Sequence, residues 1–181
     1  MEITFIRIPN GNRVYLFDNV FPDNLLKQLT DICNKFSPES LEWEPMAWTT
    51  NRYAFRDNKY LNLLLHDFYQ EIFSRDMMST LNYKLHHAST SLYLDLPGLG
   101  NLEPHTEGPE GGTYLMQTYI TDQCEPFNGT TVYTDDKQIL FQMPYRNNFG
   151  WLFDQATGIM HGRHSDVSPN LKRFSIMTRF I

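Results

Sequence analysis

The sequence predicts a mainly β fold with N-terminal helices: a double-stranded β-helix of the jelly-roll, cupin-like kind. Three observations predict it. Past residue 88, eight short β-prone segments follow one another at 90–96, 102–107, 114–121, 129–134, 138–143, 149–155, 159–164 and 173–181, with turns between them and no helical crossover. Such a series pairs antiparallel into a sandwich or barrel, and eight strands are what a jelly roll needs. Two amphipathic helical patterns precede the strands, and the last strand has two unlike faces.

In chain order, residues 3–8 and 13–18 read as a hairpin around Pro9-Asn10-Gly11-Asn12, because an Asn-Gly step favours a turn between β-prone flanks. Pro22 and Asp23 open a helix reaching about Phe36, with Leu25, Leu26, Leu29, Ile32 and Phe36 at helical spacing. Ser37-Pro38-Glu39-Ser40 stops it. Residues 41–57 carry Trp43, Trp48, Tyr53 and Phe55 without a clean period, so they read as irregular or partly extended. A second helix is expected from about Lys59 to Arg75, striped by Leu61, Leu64, Leu65, Phe68 and Ile72. The chain reads as one domain, 1–181, in which the hairpin and helices of 1–87 buttress a jelly-roll core at 88–181.

The last strand explains the layering. Phe174, Ile176, Thr178 and Phe180 share a face suited to packing on the helices, while Arg173, Ser175 and Met177 share the other. A buried arginine on that second face calls for an anion, and a bound carboxylate supplies one through a bidentate pair.

Composition narrows the function. Of 181 residues, 41 % are apolar and 20 % charged, and the net charge of −6 comes without a Lys/Arg cluster, which disfavours nucleic acid as a partner. Cys33 and Cys124 are too few for a disulfide framework. The N-terminus lacks the pattern of a signal peptide, and no apolar run is long enough to span a membrane, so a cytoplasmic protein with reduced thiols is expected. Asn128-Gly129-Thr130 matches a glycosylation acceptor but reads as a turn, as does Asp135-Asp136.

Two segments carry chemistry. In Leu102-Glu103-Pro104-His105-Thr106-Glu107, an extended backbone projects His105 and Glu107 from one face. A histidine from Ile159-Met160-His161-Gly162-Arg163-His164 completes two imidazoles and one carboxylate, a set that suits Fe(II) with open positions. His161 is preferred to His164 as the distal ligand, because apolar residues precede it and Gly162 beside it leaves the backbone room near a ligand. His164 stays as the alternative. His86-His87 is not a metal pair, since adjacent strand residues point to opposite faces. Gln117, Tyr119, Thr131 and Tyr133 are candidates to line the cavity. Gly108-Pro109-Glu110-Gly111-Gly112 reads as a lip over the site.

The region from Tyr93 to Phe180 resembles the Fe(II)/2-oxoglutarate-dependent oxygenases, especially their compact prolyl-hydroxylase-like group. The matches are His105-Thr106-Glu107, His161-Gly162 and Arg173-Phe174-Ser175, with Gly129-Thr130-Thr131 and the strand Asn148 to Phe153 in corresponding places. Glu107 stands where the family usually has Asp. The resemblance implies that His105, Glu107 and His161 hold the metal and act in catalysis. It also implies that Arg173, with Ser175 or Tyr93, binds the distal carboxylate of 2-oxoglutarate. The implied reaction consumes O₂, releases succinate and CO₂, and hydroxylates a peptide, a protein side chain or a small metabolite. A monomer or a homodimer is expected, with no membrane partner. Two other readings stand beside this one. A cupin-like metalloenzyme would use no 2-oxoglutarate, and a non-catalytic jelly-roll protein would only bind or support.

Overall fold

The computed structural model describes residues 1–9, 11–46, 51–55, 58–73, 88–100, 102–106 and 114–180. The hairpin forms as β1 (Glu2–Arg7) and β2 (Arg13–Asp18), in register from Glu2–Asp18 to Arg7–Arg13. Helix α1 (Asp23–Asn34) buries Leu25, Leu29 and Cys33 on one stripe. Pro22 sits at its N-terminal boundary with its carbonyl accepting from the Leu25 and Leu26 amides. Phe36 lies just past the helix rather than within it, edge-on to Trp43 and Tyr53 with ring centroids 5.3 Å away in each case.

The segment expected to be irregular contains β3 (Trp43–Pro45) and β4 (Arg52–Phe55), paired so that Trp43 faces Phe55. Those two aromatics are buried, and their contact draws the strands together despite the weak alternation. Helix α2 (Asn58–Asp67) follows, passing into π-helical geometry over Phe68–Phe73. The sequence stripe predicts regular α-helix over these residues as well. The wider turn sets Phe68 and Tyr69 side by side in the core, and the Tyr69 hydroxyl lies 2.9 Å from that of Thr178.

All eight segments of the second half form strands: β5 (Ala88–Asp95), β6 (Leu102–His105), β7 (Tyr114–Ile120), β8 (Thr131–Tyr133), β9 (Ile139–Gln142), β10 (Phe149–Asp154), β11 (His161–Arg163) and β12 (Arg173–Phe180). They make two facing antiparallel sheets, with β10-β7-β12-β5 in one and β6-β11-β8-β9 in the other. The N-terminal strands extend the first sheet at both edges, β2 beside β10 and β4 beside β5. The N-terminal half therefore builds part of the large sheet as well as covering it.

Strand alternation divides the core. Leu115, Tyr119, Trp151 and Phe153 point between the sheets, whereas Met116, Ile120, Leu152 and Ile176 meet Leu25, Leu29, Leu61 and Leu65 of the helices on the outer face. Gly129 is required where the chain enters β8, because a Cβ there would collide with the Met143 carbonyl. Cys33 is buried and Cys124 exposed, and neither is in a disulfide. Among the described residues no helix is long and apolar enough to cross a membrane. Trp48, His86-His87, Glu107 and Gly108 to Gly112 lie outside the described residues.

A candidate metal and anion site between the sheets

His105 and His161 are direct cross-strand partners of β6 and β11. Opposed residues of an antiparallel pair project to the same side, and the two imidazole centroids stand 4.6 Å apart. In each ring Nδ1 faces a carbonyl two residues back: Glu103 at 2.9 Å for His105 and Ile159 at 3.2 Å for His161. A proton held on Nδ1 by these carbonyls leaves the lone pair on Nε2, the tautomer that metal-binding histidines adopt. Phe153 and Trp151 pack against His161 with centroids 5.0 and 5.7 Å away. They restrict the ring and shield it from water. His164 is exposed, whereas His161 is buried and lines the cavity. Among the described residues no group of three or more His, Cys, Asp or Glu side chains gathers, and Glu107, two positions past His105, lies outside them.

Gly162 serves the strands rather than a ligand. A Cβ there would run into the Leu102 carbonyl and come within 3.0 Å of that of Glu103. Glycine thus lets β6 close on β11, and the two histidines meet because it does. Gly162→Ala should cost about 1–3 kcal/mol through this overpacking, measured as a lower urea midpoint, and should spread the histidine pair.

A second cluster occupies the same cavity of 220 Å³. Arg52, Asp95 and Arg173 form one row across β4, β5 and β12, with Asp95 the register partner of both arginines. Arg163 reaches in from β11 of the opposite sheet. Asp95 is 1 % exposed and shared three ways: Arg173 Nη1 donates to Oδ2 at 2.9 Å, Arg163 Nη1 to the same oxygen at 3.1 Å, and Arg52 Nε lies 3.2 Å from Oδ1. Arg173 also donates from Nε to the Asn128 carbonyl at 2.8 Å and lies over the rings of Tyr119 and Tyr145. Burial pulls its pKa down, but Tyr119, Asp95 and Tyr145 pull it up by more, so it remains a cation.

Tyr93 and Ser175 face each other on β5 and β12, one row from Asp95 and Arg173. Tyr93 lines the cavity with the Arg52 guanidinium stacked 4.6 Å from its ring centre. The Ser175 hydroxyl is buried, and no hydrogen-bond partner among the described residues meets it. Gln117 also lines the cavity; its Oε1 accepts from the Thr130 hydroxyl at 2.7 Å and from Trp151 Nε1 at 3.3 Å. The Tyr119 hydroxyl joins this network, accepting from the Thr130 amide at 2.8 Å. From the neighbouring turn it is Thr130, and not Thr131 or Tyr133, that reaches the cavity wall.

Sequence reasoning missed Asp95, Arg52 and Arg163. It sought a counter-ion for Arg173 in a bound carboxylate. Asp166 accepts from the amides of Gly98 and Gly100 at 2.9 and 3.0 Å. Alternation in β5 does put Tyr93 and Asp95 on one face, but no local signal marks Asp95 as facing an arginine on each side.

No family model matches the sequence, and no curated protein is significantly similar to it. Solved structures are similar in fold. A Pseudomonas putida prolyl-4-hydroxylase superposes with a TM-score of 0.63 over 94 % of each chain at 12 % identity. A Trichoplax adhaerens prolyl hydroxylase, solved with a hypoxia inducible factor peptide fragment, gives 0.62 over 95 % of this chain and 84 % of its own at 14 % identity. The epimerase SnoN, solved with Fe³⁺, alpha ketoglutarate and nogalamycin RO, gives 0.67 over 93 % and 78 % at 10 % identity. At such identities the likeness establishes the fold, which is the double-stranded β-helix that 2-oxoglutarate-dependent iron enzymes use.

Proposed function

We propose that this protein is an Fe(II)/2-oxoglutarate-dependent oxygenase that hydroxylates a peptide, a protein side chain or a small metabolite. The observation that carries the reading is one cavity lined both by the paired His105 and His161 and by the buried cation Arg173. The residues fit the implied groups. Two imidazoles with Nδ1 turned to carbonyls suit a divalent metal, with Glu107 as the proposed third ligand. Among the described residues Arg173 Nη2 makes no protein hydrogen bond, and the buried Ser175 hydroxyl has no partner, so a carboxylate would satisfy both.

Iron with 2-oxoglutarate and O₂ supplies the oxidising power, with succinate and CO₂ as co-products. The chain's part is orientation and electrostatics. His105 and His161 fix the metal at the β6–β11 seam. Arg173 and Ser175, with Tyr93 beside them, would hold the distal carboxylate in the next rows of the large sheet. Trp151 and Phe153 keep water from the distal histidine. SnoN is an epimerase on this fold, so fold alone does not select hydroxylation.

Anaerobic addition of Fe(II) and then 2-oxoglutarate should produce a visible metal-to-ligand charge-transfer band, and its absence at saturating metal would refute the reading. Arg173→Ala should weaken 2-oxoglutarate binding about tenfold to a hundredfold, the loss of one charge-assisted contact worth roughly 1.5–3 kcal/mol. Calorimetric titration into the Mn(II)-loaded protein measures it. Arg173→Lys should recover only part, since an ammonium lacks the planar fork.

A further inference from the structure

We propose that Gln117 is a co-substrate-binding residue whose side-chain Nε2 donates a hydrogen bond to the 2-oxo-acid end of 2-oxoglutarate. The identity of the co-substrate rests on the proposed function. The unused donor rests on the geometry of a buried network.

Gln117 is 5 % exposed and sits in the middle of β7. Its amide cannot be turned round. The indole Nε1–H of Trp151 can only donate, so the atom it meets at 3.3 Å is the amide oxygen. The same oxygen accepts from the Thr130 hydroxyl at 2.7 Å, and that hydroxyl accepts from Tyr119 at 2.9 Å. The Tyr119 oxygen accepts in turn from the Thr130 amide at 2.8 Å and from Trp151 Nε1 at 3.2 Å, which closes the network. With the oxygen committed to the protein, Nε2 is left to the cavity that Gln117 lines. Among the described residues it makes no hydrogen bond, yet it is not sealed from open space. A glutamine kept only to complete the network would use both ends of its amide, because a buried N–H without an acceptor is costly. Donation into Oε1 also polarises the amide and strengthens its N–H groups as donors.

Strand register fixes which part of a ligand meets this donor. Trp151 and Met177 flank Gln117 on β10 and β12, and Trp151 stands edge-on to His161 with centroids 5.7 Å apart. Tyr119 and Ser175 form the next row, and Arg173 lies beyond Ser175. The row of Gln117 is thus about 13 Å of strand from Arg173, at roughly 3.3 Å per residue. A dicarboxylate held at one end by Arg173 and Ser175, with its other end at the histidines, passes Gln117 with its 2-oxo and adjoining carboxylate oxygens. Both are acceptors, as an Nε2 donor requires.

The test reads binding and not turnover. The full chain, loaded anaerobically with Fe(II), is titrated with 2-oxoglutarate and with pyruvate, which has the 2-oxo-acid end without the distal carboxylate. Gln117→Met should weaken both about tenfold to a hundredfold. It should also move the charge-transfer band to shorter wavelength, because a hydrogen bond to the 2-oxo acid lowers the energy of its acceptor orbital. Arg173→Ala should weaken 2-oxoglutarate and leave pyruvate unchanged. In Gln117→Met, Trp151 Nε1 and the Thr130 hydroxyl keep Tyr119 as a partner, so the fold should persist. Should it not fold, the wild type decides: in Zn(II)-loaded protein, 2-oxoglutarate should shift a Gln117 side-chain amide proton downfield and slow its exchange with solvent. Unchanged affinity and band in folded Gln117→Met, or an amide resonance indifferent to 2-oxoglutarate, overturns the proposal. If 2-oxoglutarate does not bind the metal-loaded wild type, the oxygenase reading and this inference fall together. If it binds and Gln117 makes no difference, this inference falls alone.

Discussion

Asp95→Ala is expected to unfold at a much lower urea concentration than the wild type, losing about 3–5 kcal/mol, the usual cost of removing one partner from a buried ion cluster. The reason is local. Arg52, Arg163 and Arg173 are all buried and all converge on this carboxylate, so its removal leaves three guanidiniums facing one another. A domain of ordinary stability, about 5–15 kcal/mol, would lose a large fraction of it. The midpoint should fall with little change in slope, because the surface exposed on unfolding is unchanged. Asp95→Asn keeps the shape but not the charge and should be nearly as harmful. Phosphate or 2-oxoglutarate should restore part of the loss, since an anion that binds only the folded cluster stabilises it by mass action. If Asp95→Ala retains wild-type stability in anion-free buffer, the cluster is not held together as described.

Under the proposed ligand set, His161→Ala should abolish stoichiometric Fe(II) binding, as should His105→Ala. Even loss of an outer partner to a metal ligand typically weakens affinity tenfold to a hundredfold, so loss of a ligand should exceed a hundredfold. The fold should survive the His105 change most easily, because His105 is half-buried at the end of its strand, whereas His161 packs on Trp151 and Phe153. Removing either ring leaves the Arg173 anchor in place. 2-Oxoglutarate should then bind weakly, through its distal carboxylate alone. His164→Ala is the contrasting variant: its side chain is exposed and off the cavity wall, so iron affinity should not change. Equilibrium dialysis under nitrogen followed by iron determination reads all three. Loss of iron in His164→Ala with retention in His161→Ala would transfer the ligand role. Glu107→Gln should weaken binding in the same assay if this side chain is the third ligand.

Much of the architecture could be read along the chain because strand and helix periods are local properties. The hairpin, both helices and all eight later strands fall where hydrophobic alternation and turn residues place them, with ends shifted by a few residues. The two faces of the last strand divide as its alternation predicts: Phe174, Ile176 and Phe180 meet the helices, while Arg173 turns between the sheets. The segment at 43–55 is less legible, since its strands are three and four residues long and owe their pairing to the Trp43–Phe55 contact across the strand pair. The π-helical end of α2 has no local signal either. Nothing in a heptad-like stripe marks where one turn will widen to seat two aromatics together.

For the site, the chain by itself determined the residue types: a His-x-Glu, a later histidine and an arginine strand, in an order that proposes a metal and an anion. Which side chains meet follows from strand order and register. Pairing β11 with β6 put His161 opposite His105 and left His164 outside, a choice made by strand register and by the close approach that Gly162 permits. Register across β4, β5 and β12 likewise set Arg52, Asp95 and Arg173 in one row, and the facing sheet added Arg163. These contacts join residues 43 to 78 positions apart. Charge and burial at that range arise from strand order and sheet stacking, which neighbouring residues do not encode.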